Sequence, residues 1–179
     1  MKKLLLSASA TLLLAGIASQ AQAYDGSITF NGNVSAETCT IGAAGTTTTG
    51  TVTMPSVAAS ALAAAAATAG TTQFSINLTN CAGTAKQAAA WFESGSNVNA
   101  AGRLSNIGGT ASNVDIALYN TGSTTPINVG QGNGFGTSGS AFNISSGSAT
   151  LNYQAKYYAT AAATAGSVTA SVNYTIQYQ

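Results

Sequence analysis

Histidine is absent from the sequence, and ionisable side chains of any kind are scarce: five Lys or Arg and four Asp or Glu in 179 residues. Without histidine the chain lacks the commonest general acid–base group and the commonest metal ligand. The carboxylates are scattered from Asp25 to Asp115 rather than clustered, so acid–base or nucleophilic chemistry has no constellation to work with. We therefore expect no catalytic residue, no metal site, no cofactor and no enzyme. Clustered Lys and Arg are missing too, which excludes an electrostatic footprint for nucleic acid. Apolar runs are short. The longest, Leu4 to Ile17, falls below the ~20 residues that a spanning helix needs.

That first run has a different reading. Lys2 and Lys3 precede it, and Ala21-Gln22-Ala23 follows as a small-residue cleavage site, the pattern of a secretory signal peptide over residues 1–23. Residues 24–179 then form one domain-sized chain with no integral membrane segment. It carries Lys86, Arg103 and Lys156 against Asp25, Glu37, Glu93 and Asp115. Such sparse charge suits a protein that packs against copies of itself. Cys39 and Cys81 meet an oxidising compartment after export. An even count with no histidine favours a disulfide over a metal site.

The strongest periodicity lies at the end. From Val168 the apolar residues Val168, Ala170, Val172, Tyr174, Ile176 and Tyr178 alternate with polar ones, predicting a strand with one buried face. A long apolar edge strand invites pairing with another chain, so something must complete it. Near the other end Ile28, Phe30, Gly32 and Val34 alternate with polar residues in the same way, predicting an unbroken strand that runs on through Cys39 to Ile41. A glycine within a strand marks a bulge or a close approach of another backbone.

Between these ends the spacing predicts short strands at 51–54, 73–81, 88–93, 114–119 and 151–158, with a brief one at 142–144 inside a Gly/Ser-rich loop from Gly130 to Gly147. The Ala-rich run 57–69 predicts a short helix or a low-complexity connection. Seven or eight strands with almost no helix make an all-β, antiparallel β-sandwich. Gly134 to Gly139 formally matches a dinucleotide fingerprint, but without a strand before it and a helix after it is a flexible loop. Of Trp91 and Phe92, at least one belongs in the core.

Several of these features together resemble one family, the pilins of the chaperone–usher pathway, specifically type 1-like major fimbrial subunits. The matching elements are the signal peptide, the spaced Gly26, Ile28, Phe30, Gly32 and Val34 leading to Cys39, and Phe74, Ile76 and Leu78 leading to Cys81. The ending matches as well: Gly166 is fourteenth from the C-terminus and Tyr178 is penultimate. The resemblance implies an immunoglobulin-like fold lacking its last strand, completed by a donor strand from another chain. It implies residues 24–38 as a donor extension, with Ile28, Phe30, Gly32 and Val34 donated, and residues 39–179 as the pilin domain. Gly166, Val168, Ala170, Val172, Tyr174, Ile176 and Tyr178 would form the acceptor groove and the chaperone-recognition segment. The implied partners are identical subunits in a filament, a periplasmic chaperone and an outer-membrane usher; the implied location is a fimbrium on the cell surface. The alternative is a minor adaptor or a glycan-binding tip subunit. A tip adhesin would carry an additional lectin domain in place of the extension.

Overall fold

Strand formation follows the alternation of apolar side chains closely. The computed structural model describes residues 27–34, 36–44, 48–136 and 139–179. The expected leader 1–23, and Tyr24 to Gly26 of the expected extension, lie outside the described residues. Among the described residues there are eight strands, all paired antiparallel: β1 (Thr38–Ala43), β2 (Thr68–Ala82), β3 (Gln87–Phe92), β4 (Leu104–Ser105), β5 (Val114–Asn120), β6 (Phe142–Asn143), β7 (Ala149–Ala159) and β8 (Tyr174–Tyr178). They form a five-stranded sheet in the order β1-β2-β7-β5-β4 and a three-stranded sheet in the order β6-β3-β8.

The two inner faces share one core. Phe74 opposes Tyr153 and Ile76 opposes Leu151 in the β2–β7 register, while Ala88, Ala90, Phe92 and Ile176 contribute from the smaller sheet. Tyr153 stacks on Phe74 and meets Phe92 and Phe142 edge-on. Its hydroxyl oxygen accepts a hydrogen bond from the Ala90 amide (3.2 Å), tying β7 to β3 across the sandwich. Burial pushes the Tyr153 hydroxyl pKa up to about 12, partly offset by that bond. In β2 the register shifts between Ala69 and Thr72, and Gly70 takes φ +67°. A side chain there would collide with the Tyr157 ring, so only glycine allows the bulge.

Two staples hold the start of the domain. Cys39 and Cys81 are disulfide-bonded, as expected, joining β1 to the end of β2. Beside them one carboxylate oxygen of Glu37 accepts hydrogen bonds from the amides of Thr84 (2.6 Å) and Ala85 (2.8 Å) in the β2–β3 turn.

Several expectations need correction. The run 57–69 is not a helix: a single 3-10 turn covers Ala59–Leu62, and Thr68 and Ala69 already belong to β2. With no apolar stripe to bury, alanine propensity yields to pairing with β7, where Ala66 donates to the Ala159 carbonyl and Ala159 to that of Ala67. Residues 51–54 form no strand, although Val52 and Met54 are half-buried. The final strand spans only Tyr174–Tyr178, because no partner strand is available to 167–173 among the described residues. The chain divides into two units, 1–33 and 34–179. Residues 27–34 carry no regular secondary structure, so the predicted N-terminal strand begins only at Thr38.

Candidate functional site: an open groove along the C-terminal edge

Among the described residues, each sheet ends in a strand that is paired on one side only. In the small sheet β8 pairs with β3 alone, and in the large sheet β1 pairs with β2 alone, among the described residues. The burial pattern marks the consequence. Inward-facing Leu151 and Tyr153, mid-sheet on β7, are 0% exposed. The corresponding positions at the two edges stay half-buried: Cys39 and Ile41 on β1, and Val168, Ala170, Val172, Tyr174 and Tyr178 along the C-terminal segment. All of these pack against the core and stay partly exposed among the described residues. Ile176, at 9%, is the deepest of the row. The Tyr174 hydroxyl donates to the Thr48 carbonyl (2.9 Å), placing the chain after β1 beside β8. Partial burial raises the hydroxyl pKa of Tyr174; burial first, and then the Glu37 charge, raises that of Tyr178.

The edge is longer than the ladder. Gln179 exchanges backbone bonds with Gln87, and the Asn173 carbonyl accepts from the Glu93 amide. Further back, Thr169 accepts from the Ile107 amide and donates to the Asn106 side chain; Ser167 accepts from the Ala111 amide and donates to the Thr110 hydroxyl. Every residue whose backbone is spent inward is odd-numbered. In an extended chain successive residues aim their N–H and C=O groups to opposite sides. The backbone groups of Val168, Ala170, Val172, Tyr174, Ile176 and Tyr178 therefore face the open side in one register.

The predicted site residues thus divide. Gly166 to Tyr178 form one continuous edge, and Cys39 and Cys81 meet in the disulfide. Ile28, Phe30 and Val34 are exposed, Phe30 by 89% and Val34 by 99%, and together with Gly32 they belong to no strand.

Two polar residues at the site carry no signal in the sequence. Asn133 is buried; its Oδ1 accepts from the Phe92 amide (2.8 Å) and its Nδ2 donates to the Phe92 carbonyl (3.0 Å), substituting for a strand beside β3. Asn106 does the same for the Ser167–Thr169 backbone. Both sit in Gly- and Ser-rich loops, where asparagine is ordinary. The carboxylates are engaged structurally: Asp115 with Arg103 and Asn99, Glu93 with Trp91 and Thr175, Glu37 with the turn. No group of His, Cys, Asp and Glu suited to a metal ion occurs among the described residues, and none of their helices is long and apolar enough to cross a membrane.

Comparison with known proteins agrees with this geometry. Residues 54–179 match the family model "FimA: Type-1 fimbrial protein, A". The chain is 44% identical over 171 residues to the major fimbrial subunit SMF-1 of Stenotrophomonas maltophilia, covering 93% of this chain and 99% of that one. It is 38% identical over 176 residues to the minor fimbrial subunit HifD of Haemophilus influenzae, covering 93% and 80% respectively. The fold is similar to the crystal structure of the P pilus rod subunit PapA, with a TM-score of 0.59 over 79% of this chain and 99% of that one at 22% identity. The sandwich is accordingly immunoglobulin-like. Sequence and fold together place the chain in the type-1 fimbrial protein family of chaperone–usher pilins, as a structural subunit and not an enzyme.

Proposed function

We propose that this subunit builds the rod of an adhesive fimbria by donor-strand exchange. Residues 1–23 direct export and are removed, residues 24–38 are the donor extension, and residues 39–179 are the acceptor domain. The extension of one copy lies along Val168–Tyr178 of the next, inserting Ile28, Phe30 and Val34, with Gly32 where the two backbones approach most closely. Before that, a periplasmic chaperone occupies the same edge, recognising Gly166 to Tyr178, and an outer-membrane usher exchanges it for the next subunit. The filament stands on the cell surface.

One observation carries this reading: a row of half-buried apolar side chains beside a backbone edge paired on one side only. A strand added there satisfies the free donors and acceptors and covers the row. Burying Ile28, Phe30 and Val34 contributes roughly 5–9 kcal/mol at about 1.5–3 each, before the cost of ordering the extension. The rod assignment is favoured by similarity to a major subunit along nearly its whole length. A minor adaptor is the alternative, favoured by the likeness to HifD, and subunit abundance in purified fimbriae separates the two.

The test is assembly of a Phe30→Arg variant expressed with chaperone and usher. A charge without a partner is not tolerated in an apolar groove. The expected result is loss of SDS-resistant ladders with the chaperone complex retained, because the variant's own groove is intact. Ladders as strong as wild type would mean that residues 26–34 are not the donor.

A further inference from the structure

The first half of the acceptor edge, Ser167 to Asn173, has no strand beside it among the described residues, yet it keeps the register of β8. What holds it is a clasp from the chain after β4, made of the Ile107 and Ala111 backbone amides and of side chains. Asn106 Nδ2 donates to the carbonyls of Ala111 (2.9 Å) and Ser167 (3.2 Å), while its Oδ1 accepts from the Thr169 amide (2.8 Å). Thr110 and Ser167 exchange reciprocal bonds: each hydroxyl accepts from the other's amide, at 3.0 and 3.1 Å. Gly166 lets the two segments close. A Cβ on it would stand 2.4 Å from the Ala111 nitrogen, inside backbone that cannot move aside. Behind the clasp lies a cavity of about 280 Å³ whose walls include Val57, Leu62, Val114, Tyr157, Gly166 and Val168.

We infer that this clasp, with Asn106 at its centre and Gly166 as its steric condition, positions the leading half of the acceptor edge for strand capture. The inference rests on the donor-strand reading above. Asn106 and Ala111 engage Ser167, while Asn106 and Ile107 engage Thr169, so the backbones of Val168 and Ala170 are turned outward. A one-residue slip would present the wrong backbone groups and turn Val168 away from the core. A donor strand arriving at a preset edge need not order it, which is the advantage of preorganisation. Position 166 on this account is glycine because of a close approach within the subunit itself. Asn106 acts through the backbone of Ser167 and Thr169 and is a positioning residue.

The experiment uses the chaperone-bound subunit, challenged with a synthetic peptide of residues 24–38, and times chaperone release. Asn106→Ala and Gly166→Ala should each slow capture about tenfold, the effect of one or two net hydrogen bonds. Ser167→Ala, which removes only the hydroxyl bonds, should slow it less and serves if the others fail to fold. Peptides carrying Ile28→Ala, Phe30→Ala or Val34→Ala distinguish positioning from general weakening. Under the inference the Asn106→Ala penalty shrinks for the one peptide lacking the side chain that seats beside Ser167–Thr169 and stays full for the other two. Capture at the wild-type rate by Asn106→Ala would overturn the inference alone. An equal penalty for all peptides, matched by a lower melting temperature, would overturn it in favour of a purely structural role. If wild type captures no peptide, the groove reading falls and the clasp inference with it.

Discussion

Replacing Asn133 by alanine should loosen β3, the strand that carries β8. Among the described residues β3 is the sole ladder partner of β8, and at Phe92 its other side meets no strand but the Asn133 side-chain amide, itself 1% exposed, and the Gly130 backbone amide. Truncation leaves the Phe92 N–H buried without a partner, at about 1–3 kcal/mol. The Phe92 carbonyl keeps a second donor, the Gly130 amide at 2.9 Å, so its loss amounts to one net bond, about 1 kcal/mol. The total, roughly 2–4 kcal/mol, is a large share of the 5–15 typical of a domain. The assay is urea unfolding of a subunit carrying its own extension appended after Gln179. The midpoint should fall with the slope unchanged. Asn133→Asp adds a pH signature. Its carboxylate still accepts from the Phe92 amide but faces the Phe92 carbonyl, and burial raises its pKa above the unfolded value. Stability lost at neutral pH should therefore return as pH falls and the acid becomes a donor. A loss below about 0.5 kcal/mol in Asn133→Ala would refute the reasoning, since a buried amide without a partner costs more than that.

Two further predictions concern the core and its rim. The Tyr153 pKa is raised on folding, so its contribution is complete below pH 10, the ordinary tyrosine value, and is lost as pH climbs towards about 12. The loss is on the order of 2–3 kcal/mol; Tyr153→Phe should flatten that alkaline limb while costing about 1–3 kcal/mol at neutral pH through the orphaned Ala90 amide. An unchanged alkaline limb would exclude Tyr153 as its source. Arg103→Ala should cost about 2–3 kcal/mol, short of a fully buried pair because Asn99 still bonds Asp115. Adding Asp115→Asn should recover part of it, as read from urea midpoints.

Much of the site was legible because a period of two records which face of a strand is buried. That pattern places Phe74, Ile76 and Leu78, then Leu151 and Tyr153, and the whole row from Val168 to Tyr178, on the correct side. It does so even at 168–173, where no ladder forms: the alternation reports burial, whereas strand assignment requires a partner. Of the two readings of 57–69, a short helix or a low-complexity connection, the helix shrinks to one 3-10 turn for the converse reason, since local propensity carries no information about the β7 backbone that recruits residues 66–69.

Legible without coordinates were the disulfide, the all-β class, the inward face of each long strand and the apolar rows Ile28–Val34 and Val168–Tyr178. These are local properties, written in side-chain type and spacing. Folding in three dimensions put β7 and β8, consecutive in the chain, in opposite sheets and left β1 and β8 each at the edge of its sheet among the described residues. It also decided which polar side chains replace missing strands: Asn133 reaches back 41 residues to Phe92, and Ser167 lies 61 residues beyond Asn106. Such bonds depend on backbone groups left orphaned by the topology, and an asparagine in a glycine-rich loop carries no mark of the distant amide it will satisfy.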